Sequence, residues 1–230
     1  MPTTWLPPPE APPAAGEVHL FLARLDPGAA RQAELRALLS PREEQRALAF
    51  ADALRDRWVA GRGMLRELVG RAQGRPPREV VFRYGAHGKP GADGLRFNVS
   101  HSGERALYAL SPDREVGVDV ELPRPRRTDA LARRFFAPGE QERLFALDEP
   151  ARSAAFFRLW TCKEAFLKAT GEGLSRSLRS YEIDPAKGRL LWATGEDPAR
   201  WSVHPLDPPA PYAAALVVEG APAVRKFVWP

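Results

Sequence analysis

Two short segments hold residue types suited to phosphate chemistry. The first, Gly117-Val118-Asp119-Val120-Glu121, has the alternation of a β-strand. Val116, Val118 and Val120 fall on one face, and Gly117, Asp119 and Glu121 on the other, because strand side chains alternate. Two carboxylates on one face, roughly 7 Å apart along the backbone, can converge on one hard cation, and the glycine beside them leaves room for a ligand to approach the backbone. The second segment, Trp160-Thr161-Cys162-Lys163-Glu164-Ala165-Phe166-Leu167-Lys168, is helical. Ala155, Leu159, Cys162, Phe166 and Ala169 mark its buried stripe, and Trp160, Glu164 and Lys168 follow one another by a turn on the opposite side. Three carboxylates with lysines describe a site for Mg²⁺ and phosphate. Taken singly, the strand pair reads equally as a solvated face, and Glu164 and Lys168 as a surface pair worth ~0.3–0.5 kcal/mol; it is their co-occurrence that favours a ligand.

The elements that must position these residues form two similar halves. In the first, Glu17–Leu25 reads as a strand, and Ser40-Pro41-Arg42-Glu43 as a helix start with a capping box. That helix or helix pair runs to about Val69 and ends at Gly70. Strands follow at Glu79–Tyr84, Leu95–Val99, Arg105–Leu110 and Glu115–Glu121. Leu122–Arg127 is a Pro/Arg linker. In the second half, helices cover Thr128–Phe136, Pro138–Leu147 and Pro150–Ala169. Strands then cover Ser180–Ile183, Arg189–Ala193, Trp201–Pro205, Tyr212–Val218 and Val224–Val228. Each half ends on an alanine-rich strand, which hints at duplication. Residues 1–15, with six prolines, read as a mobile arm. The expected organisation is this arm, an N-terminal lobe over 16–121 and a C-terminal lobe over 122–230, with the ligand in the cleft between lobes.

At 230 residues and 44% hydrophobic content the chain can build a substantial core. No apolar run approaches the ~18 residues of a membrane span, and no signal peptide is expected. The single cysteine rules out an intrachain disulfide, suits a cytoplasmic location, and falls on the buried stripe as a small core residue. A net charge of +5 suits a polyanionic ligand or an acidic partner. Nucleic acid would fit the charge alone, but no pattern for it appears, and carboxylates in the strand would repel phosphate without a metal. Only five basic residues are lysines (Lys89, Lys163, Lys168, Lys187 and Lys226), and three of them lie in the segments singled out here. His19, His87 and His204 suggest no function, and Gly61-x-Gly63 on a helix is not a phosphate loop.

The two segments read as GxDxE and WxxKEAxxK. With Gly88-Lys89-Pro90, Phe97-Asn98-Val99-Ser100-His101-Ser102 and Arg134-Phe135-Phe136-Ala137-Pro138-Gly139-Glu140 they form an ordered set between about Gly85 and Gly173. This set resembles the 4′-phosphopantetheinyl transferase superfamily, in its larger single-chain form that activates peptide and polyketide synthases. The resemblance implies an α+β fold of two pseudo-twofold lobes, each with helices on a mainly antiparallel sheet. It implies transfer of the phosphopantetheine arm of coenzyme A to a carrier-protein serine, leaving adenosine 3′,5′-bisphosphate. It assigns Mg²⁺ and the pyrophosphate to Asp119, Glu121 and Glu164. Glu164 is also the candidate base, acting directly or through a water, and Lys168 shares in catalysis and coenzyme binding.

Lys89, Ser100, His101 (toward the 3′-phosphate) and Arg57 are implied coenzyme contacts. Lys163 is placed there as well, with a solvated side chain as the alternative. Arg42 and Arg46 match only loosely, and Trp160 is read as packing. Implied partners are coenzyme A and acidic apo carrier proteins of peptide, polyketide or fatty-acid synthases, with no nucleic acid and no membrane. A cytoplasmic monomer serving secondary metabolism is expected. The rival reading is a noncatalytic carrier-protein or coenzyme A binder on the same fold. Arg124, Arg126, Arg127, Arg133 and Arg134 are an expected docking surface for the carrier.

Overall fold

The structure, a computed structural model, describes residues 4–85, 88–124, 128–173 and 176–230. The chain divides into two compact units, Thr4–Asp113 with Val224–Pro230, and Arg114–Ala223.

In the N-terminal unit, β1 (Glu17–Arg24) is followed by three helices, α1 (Ala29–Arg36), α2 (Pro41–Ala47) and α3 (Asp52–Gln73). A two-stranded ribbon, β2 (Arg83–Tyr84) with β3 (Pro90–Gly91), precedes β4 (Arg96–Ser102) and β5 (Arg105–Ser111). The expected capping box forms: the Glu43 N–H donates to Ser40 Oγ at 3.4 Å, and the Ser40 N–H donates to Glu43 at 2.7 Å. Helix α3 does not stop at Gly70. A Cβ there would lie 2.9 Å from the Arg75 carbonyl oxygen, so this glycine makes room for the returning chain. The left-handed terminator is Gly74 instead, at φ 63°. Gly63 likewise serves packing, since a Cβ there would meet Leu35 at 2.7 Å. The strand expected at Glu79–Tyr84 shrinks to Arg83–Tyr84, because Pro77–Glu79 forms a 3₁₀ turn. Helix α1 went unread in the sequence, where its short Ala/Arg pattern carries no cap.

The C-terminal unit starts with β6 (Val116–Glu121), continues through α4 (Thr128–Phe135), α5 (Pro138–Phe145) and α6 (Ala151–Thr170), and closes with β7 (Tyr181–Asp184), β8 (Arg189–Ala193), β9 (Trp201–Leu206) and β10 (Ala213–Glu219). Its sheet runs β6-β10-β9-β8-β7. The N-terminal sheet runs β11-β1-β5-β4, where β11 (Ala223–Trp229) is the last strand of the chain. The α+β class with antiparallel pairing is as expected, and in both units the alanine-rich strand lies inside the sheet beside the unit's first strand.

Two expectations about organisation are overturned. The boundary falls at 113/114, not 121/122, and residues 224–230 return to the N-terminal unit. The Pro/Arg stretch looks like a linker, yet β6 pairs along its whole length with β10, Asp119 opposite Ala215. That non-local pairing outweighs local composition. Residues 4–15 are docked on the N-terminal unit. Leu6 exchanges backbone hydrogen bonds with Lys226 and Val228 at 2.9 and 2.8 Å, and the Arg71 guanidinium donates to the carbonyls of Pro9 and Glu10.

Each unit has its own core. Phe21, Leu35, Met64, Leu68, Phe97, Tyr108 and Phe227 build one; Phe136, Phe156, Cys162, Phe166, Tyr181 and Trp201 build the other. Cys162 is a core residue as expected, and burial pushes its thiol up to about 12. Among the described residues no helix is long and apolar enough to cross a membrane.

Candidate active site

The site grows from the crossing of α6 over β6. Val116, Val118 and Val120 are fully buried on one face of the strand. Gly117 turns the other face to the helix, where a Cβ would collide with the Ala165 carbonyl oxygen and the Ala169 nitrogen. The room beside this glycine is therefore taken by the helix backbone, not left for a ligand. Such close approach sets Asp119, on the Gly117 face, against the last turns of α6. Lys168 Nζ donates to Asp119 Oδ1 at 2.7 Å, with Asp119 buried and Lys168 partly exposed. Glu164, one turn back, is half-buried. Burial is the main cause raising its carboxyl above the ordinary range; the Asp119 charge adds to it, Lys168 opposes it, and Glu121 adds further. Asp119, Glu121, Glu164 and Lys168 thus share one electrostatic neighbourhood.

This neighbourhood is not a preassembled metal cage. Among the described residues no three His, Cys, Asp or Glu side chains are gathered closely enough to hold an ion, and one Asp119 oxygen accepts from Lys168. The donor chemistry nevertheless fits a hard dication, for all three acids offer oxygen and their mutual repulsion at Glu164 is what a cation relieves.

Lys163 departs from its expected role. Its side chain is completely buried, and Nζ donates to both Glu140 carboxylate oxygens at 2.7 Å and to the Tyr181 carbonyl at 2.9 Å. An ammonium has three donors, so none is left for a phosphate, and neither the coenzyme contact nor the solvated alternative holds. Glu140, which the sequence placed in a motif without a role, is the anchor. It also accepts from the N–H groups of Ala137 and Ile183, at 2.8 Å each. Burial pushes the Glu140 carboxyl up and the Lys163 ammonium down. This pair ties α5, α6 and β7 around the turn that carries Glu164, and the Tyr181 hydroxyl closes the tie by donating to the Lys163 carbonyl at 3.0 Å. Trp160 packs as expected, stacked on Phe156 at 5.8 Å with Phe135 and Phe136 beside it.

The remaining expected contacts lie in the N-terminal unit. Lys89 follows Gly88, which adopts φ 79°, and its carbonyl accepts from the Gly85 N–H at 3.0 Å. Ser100 and His101 are inside β4 and not after it. Ser100 is buried and His101 exposed, as alternation on a strand requires, so their side chains leave opposite faces. Arg57, on α3, makes a loose ion pair with Glu104 at 3.7 Å. Arg126, Arg127 and His87 lie outside the described residues.

Sequence reasoning missed the Lys168–Asp119 pair, which joins residues far apart in the chain and leaves no local signal. It also missed the structural use of Glu140, although a proline at the first helical position with a glutamate two residues on had already marked Glu43 as a capping residue.

Fold and site together define an α+β protein with an acid-and-lysine cluster suited to phosphate. The family model of the 4′-phosphopantetheinyl transferase superfamily matches residues 115–217, which contain that cluster. The chain is 41% identical to the 4′-phosphopantetheinyl transferase HetI of Nostoc sp. strain PCC 7120, over 97% of both proteins. It is 42% identical to the putative 4′-phosphopantetheinyl transferase slr0495 of Synechocystis sp. strain PCC 6803, over 62% of this chain and 61% of that one. With the 4′-phosphopantetheinyl transferase Sfp of Bacillus subtilis strain 168 it shares 32% over 55% of this chain and 57% of Sfp. The chain belongs to the 4′-phosphopantetheinyl transferase superfamily.

Proposed function

We propose that this enzyme moves the 4′-phosphopantetheine arm of coenzyme A to a serine hydroxyl of an apo carrier protein. Family membership over nearly the whole chain supports the reaction, and the observation that carries its placement is the crossing of α6 over β6, with Glu164 in the field of Asp119, Glu121 and Lys168. The serine oxygen forms a new bond to the pantetheine-side phosphorus, and the bond from that phosphorus to the bridging oxygen breaks. Adenosine 3′,5′-bisphosphate leaves with the bond's electrons. Glu164 takes the serine proton, directly or through a water. Lys168 exchanges Asp119 for a phosphate oxygen and stabilises the charge that develops there. Asp119, Glu121 and Glu164 would hold Mg²⁺, which supplies charge neutralisation at the pyrophosphate. Lys89, His101 and Arg57 are assigned to the coenzyme, with His101 at its 3′-phosphate; Ser100, buried on the other face of β4, does not share that contact with His101.

The partner is an acidic carrier protein of a peptide, polyketide or fatty-acid synthase, met by the arginines between Arg124 and Arg134; the net charge of +5 supports this. A cytoplasmic monomer acting in secondary metabolism completes the reading, with the single buried cysteine as its support for a reducing compartment. Intact-mass analysis of apo carriers incubated with coenzyme A and Mg²⁺ tests it. A gain of one phosphopantetheine is expected, abolished by chelator and restored by Mg²⁺ or Mn²⁺. Binding of carrier and coenzyme with no mass gain would leave the noncatalytic reading standing, and full turnover in excess chelator would remove the metal.

A further inference from the structure

The N-terminal unit repeats the machinery around α6 in another form. Glu43 pairs with Arg66 on α3 at a separation of 23 residues, as Glu140 pairs with Lys163 on α6 at the same separation. Reading on from each cation, Glu67 and Arg71 hold the places of Glu164 and Lys168. The strands beside the helices correspond as well. Glu17-Val18-His19-Leu20-Phe21 matches Glu115-Val116-Gly117-Val118-Asp119, and each lies next to its unit's alanine-rich strand. A histidine thus replaces the glycine, and a phenylalanine replaces the aspartate.

These exchanges change what the place can bind. No strand carboxylate corresponds to Asp119. Glu67 is spoken for, accepting from Arg31 at 2.8 and 2.6 Å and from Trp229 Nε1 at 3.2 Å. Arg71 lies over the Trp229 ring at 5.9 Å and aims its guanidinium at two backbone carbonyls, those of Pro9 and Glu10. His19, Phe21, Phe227 and Trp229 form an aromatic wall, with centroids 4.9 to 6.1 Å apart between neighbouring rings. A small cavity remains between His19 and Phe21 of this wall and Pro9, Pro12 and Pro13. His19 lines it at 1% exposure, and neither ring nitrogen makes a hydrogen bond; Glu17 Oε2 is 3.5 Å from Nε2.

We propose that this place is a binding site for proline-rich polypeptide, and that residues 9–13 of the same chain are its ligand. A proline-rich segment offers carbonyl acceptors and flat apolar rings but few N–H donors. Arg71 supplies donors for the carbonyls, and His19 and Phe21 face the proline rings across the cavity. The stiffness of the segment keeps the entropy of docking low. Backbone pairing of Leu6 with β11 delivers the segment in register. The inference stands apart from the proposed reaction, since it uses none of its residues.

Glu10 is exposed and gives a direct probe. The full-length protein is treated with a protease that cuts after glutamate, and cleavage at Glu10 is followed by intact mass against a synthetic peptide of residues 4–15. The wild type should be cut at least ~10-fold more slowly than the peptide. Arg71→Ala should approach the peptide's rate, and Arg71→Lys should fall between, because an ammonium keeps the donors but loses the planar group laid over Trp229. A second variant with Pro9, Pro12 and Pro13 changed to Ser should lose protection while keeping its circular dichroism spectrum and its carrier-modifying rate. It should also bind the synthetic peptide in calorimetry, the displaced arm leaving the site open. Equal cleavage of wild type and peptide, or an Arg71→Ala variant as protected as wild type, would overturn the proposal. So would failure of the peptide to bind the proline-substituted protein.

Discussion

Helices α3 and α6 carry the same series of residue types and spend it differently. Both begin from a buried glutamate on a short proline-started helix, Glu43 or Glu140, pinned to a cation on the long helix. In both, the residue after that cation is a glutamate and a basic residue follows one turn later. Around α3 each of these charges is satisfied locally, Glu67 by Arg31 and Trp229, Arg71 by the arm. Around α6 the glutamate is left beside two other carboxylates, under a lysine that reaches the strand. The difference originates in the strand. Gly117 lets α6 approach closely and Asp119 supplies a charge, whereas His19 and Phe21 fill the same places with rings. A buried group held by satisfied partners adds stability; a buried group held among like charges costs stability and gains reactivity.

The sharpest way to break this comparison is to neutralise both glutamates. Glu164→Gln should lower kcat by ~10²–10⁴ while leaving Tm unchanged or raised, because a carboxylate repelled by Asp119 and Glu121 is removed. Glu67→Gln should do the opposite, lowering Tm through ~1–3 kcal/mol of weakened charged hydrogen bonds and leaving kcat within about twofold. Thermal melts and steady-state rates on the same preparations decide it; a catalytic loss in Glu67→Gln would end the division of roles.

The buried anchors come next. Lys163→Met leaves Glu140 as an uncompensated buried acid and should cost ~3–5 kcal/mol in urea unfolding. Changing Glu140 to Met in the same chain should recover most of that. Recovery of stability without recovery of kcat would show that the pair also positions Glu164, whereas no stability loss in the single variant would contradict the burial. Third, Gly117→Ala should cost about 1–3 kcal/mol or more, because the methyl would meet helix backbone that cannot yield. Gly63→Ala, facing Leu35 at 2.7 Å, should cost less, since α1 is short and can shift. Equal losses would mean that α6 lies no tighter on β6 than α3 lies on α1.

The smallest effect concerns the carrier. Arg36 is engaged with Glu44 at 3.3 Å and is a fitting control for Arg134. Arg134→Glu should raise KM for an acidic carrier up to about fivefold at low salt, an exposed pair being worth ~1 kcal/mol or less. KM for coenzyme A should stay unchanged, and the defect should shrink as salt rises. Arg36→Glu should leave the carrier's KM unchanged. Equal behaviour of the two variants would move the docking surface elsewhere.

Much of this was legible in the linear chain. Alternation marked the Asp119 and Glu121 face, the capping box started α2 where Ser40-Pro41 indicated, and the boundaries of α4, α5, α6 and β7 to β11 emerged within a residue or two. Asp119 and Glu121 on one strand face, and Glu164 and Lys168 on one helix face, were named from spacing and residue type, but not the meeting of the two faces. These features are local, set by side-chain period and cap chemistry over a few residues, so a sequence determines them.

Tertiary structure decided the rest. Periodicity could not separate Lys163 from Lys168, because α6 is buried almost all round and presents no clean polar face. Which lysine is consumed and which reaches the strand depends on Glu140 and Tyr181, brought in by other elements. The unit to which β6 belongs was settled by its pairing with β10, and the arm's place by Arg71 and β11. Each of these outcomes rests on contacts between residues distant in the chain, whose energy exists only once the backbone has brought them together.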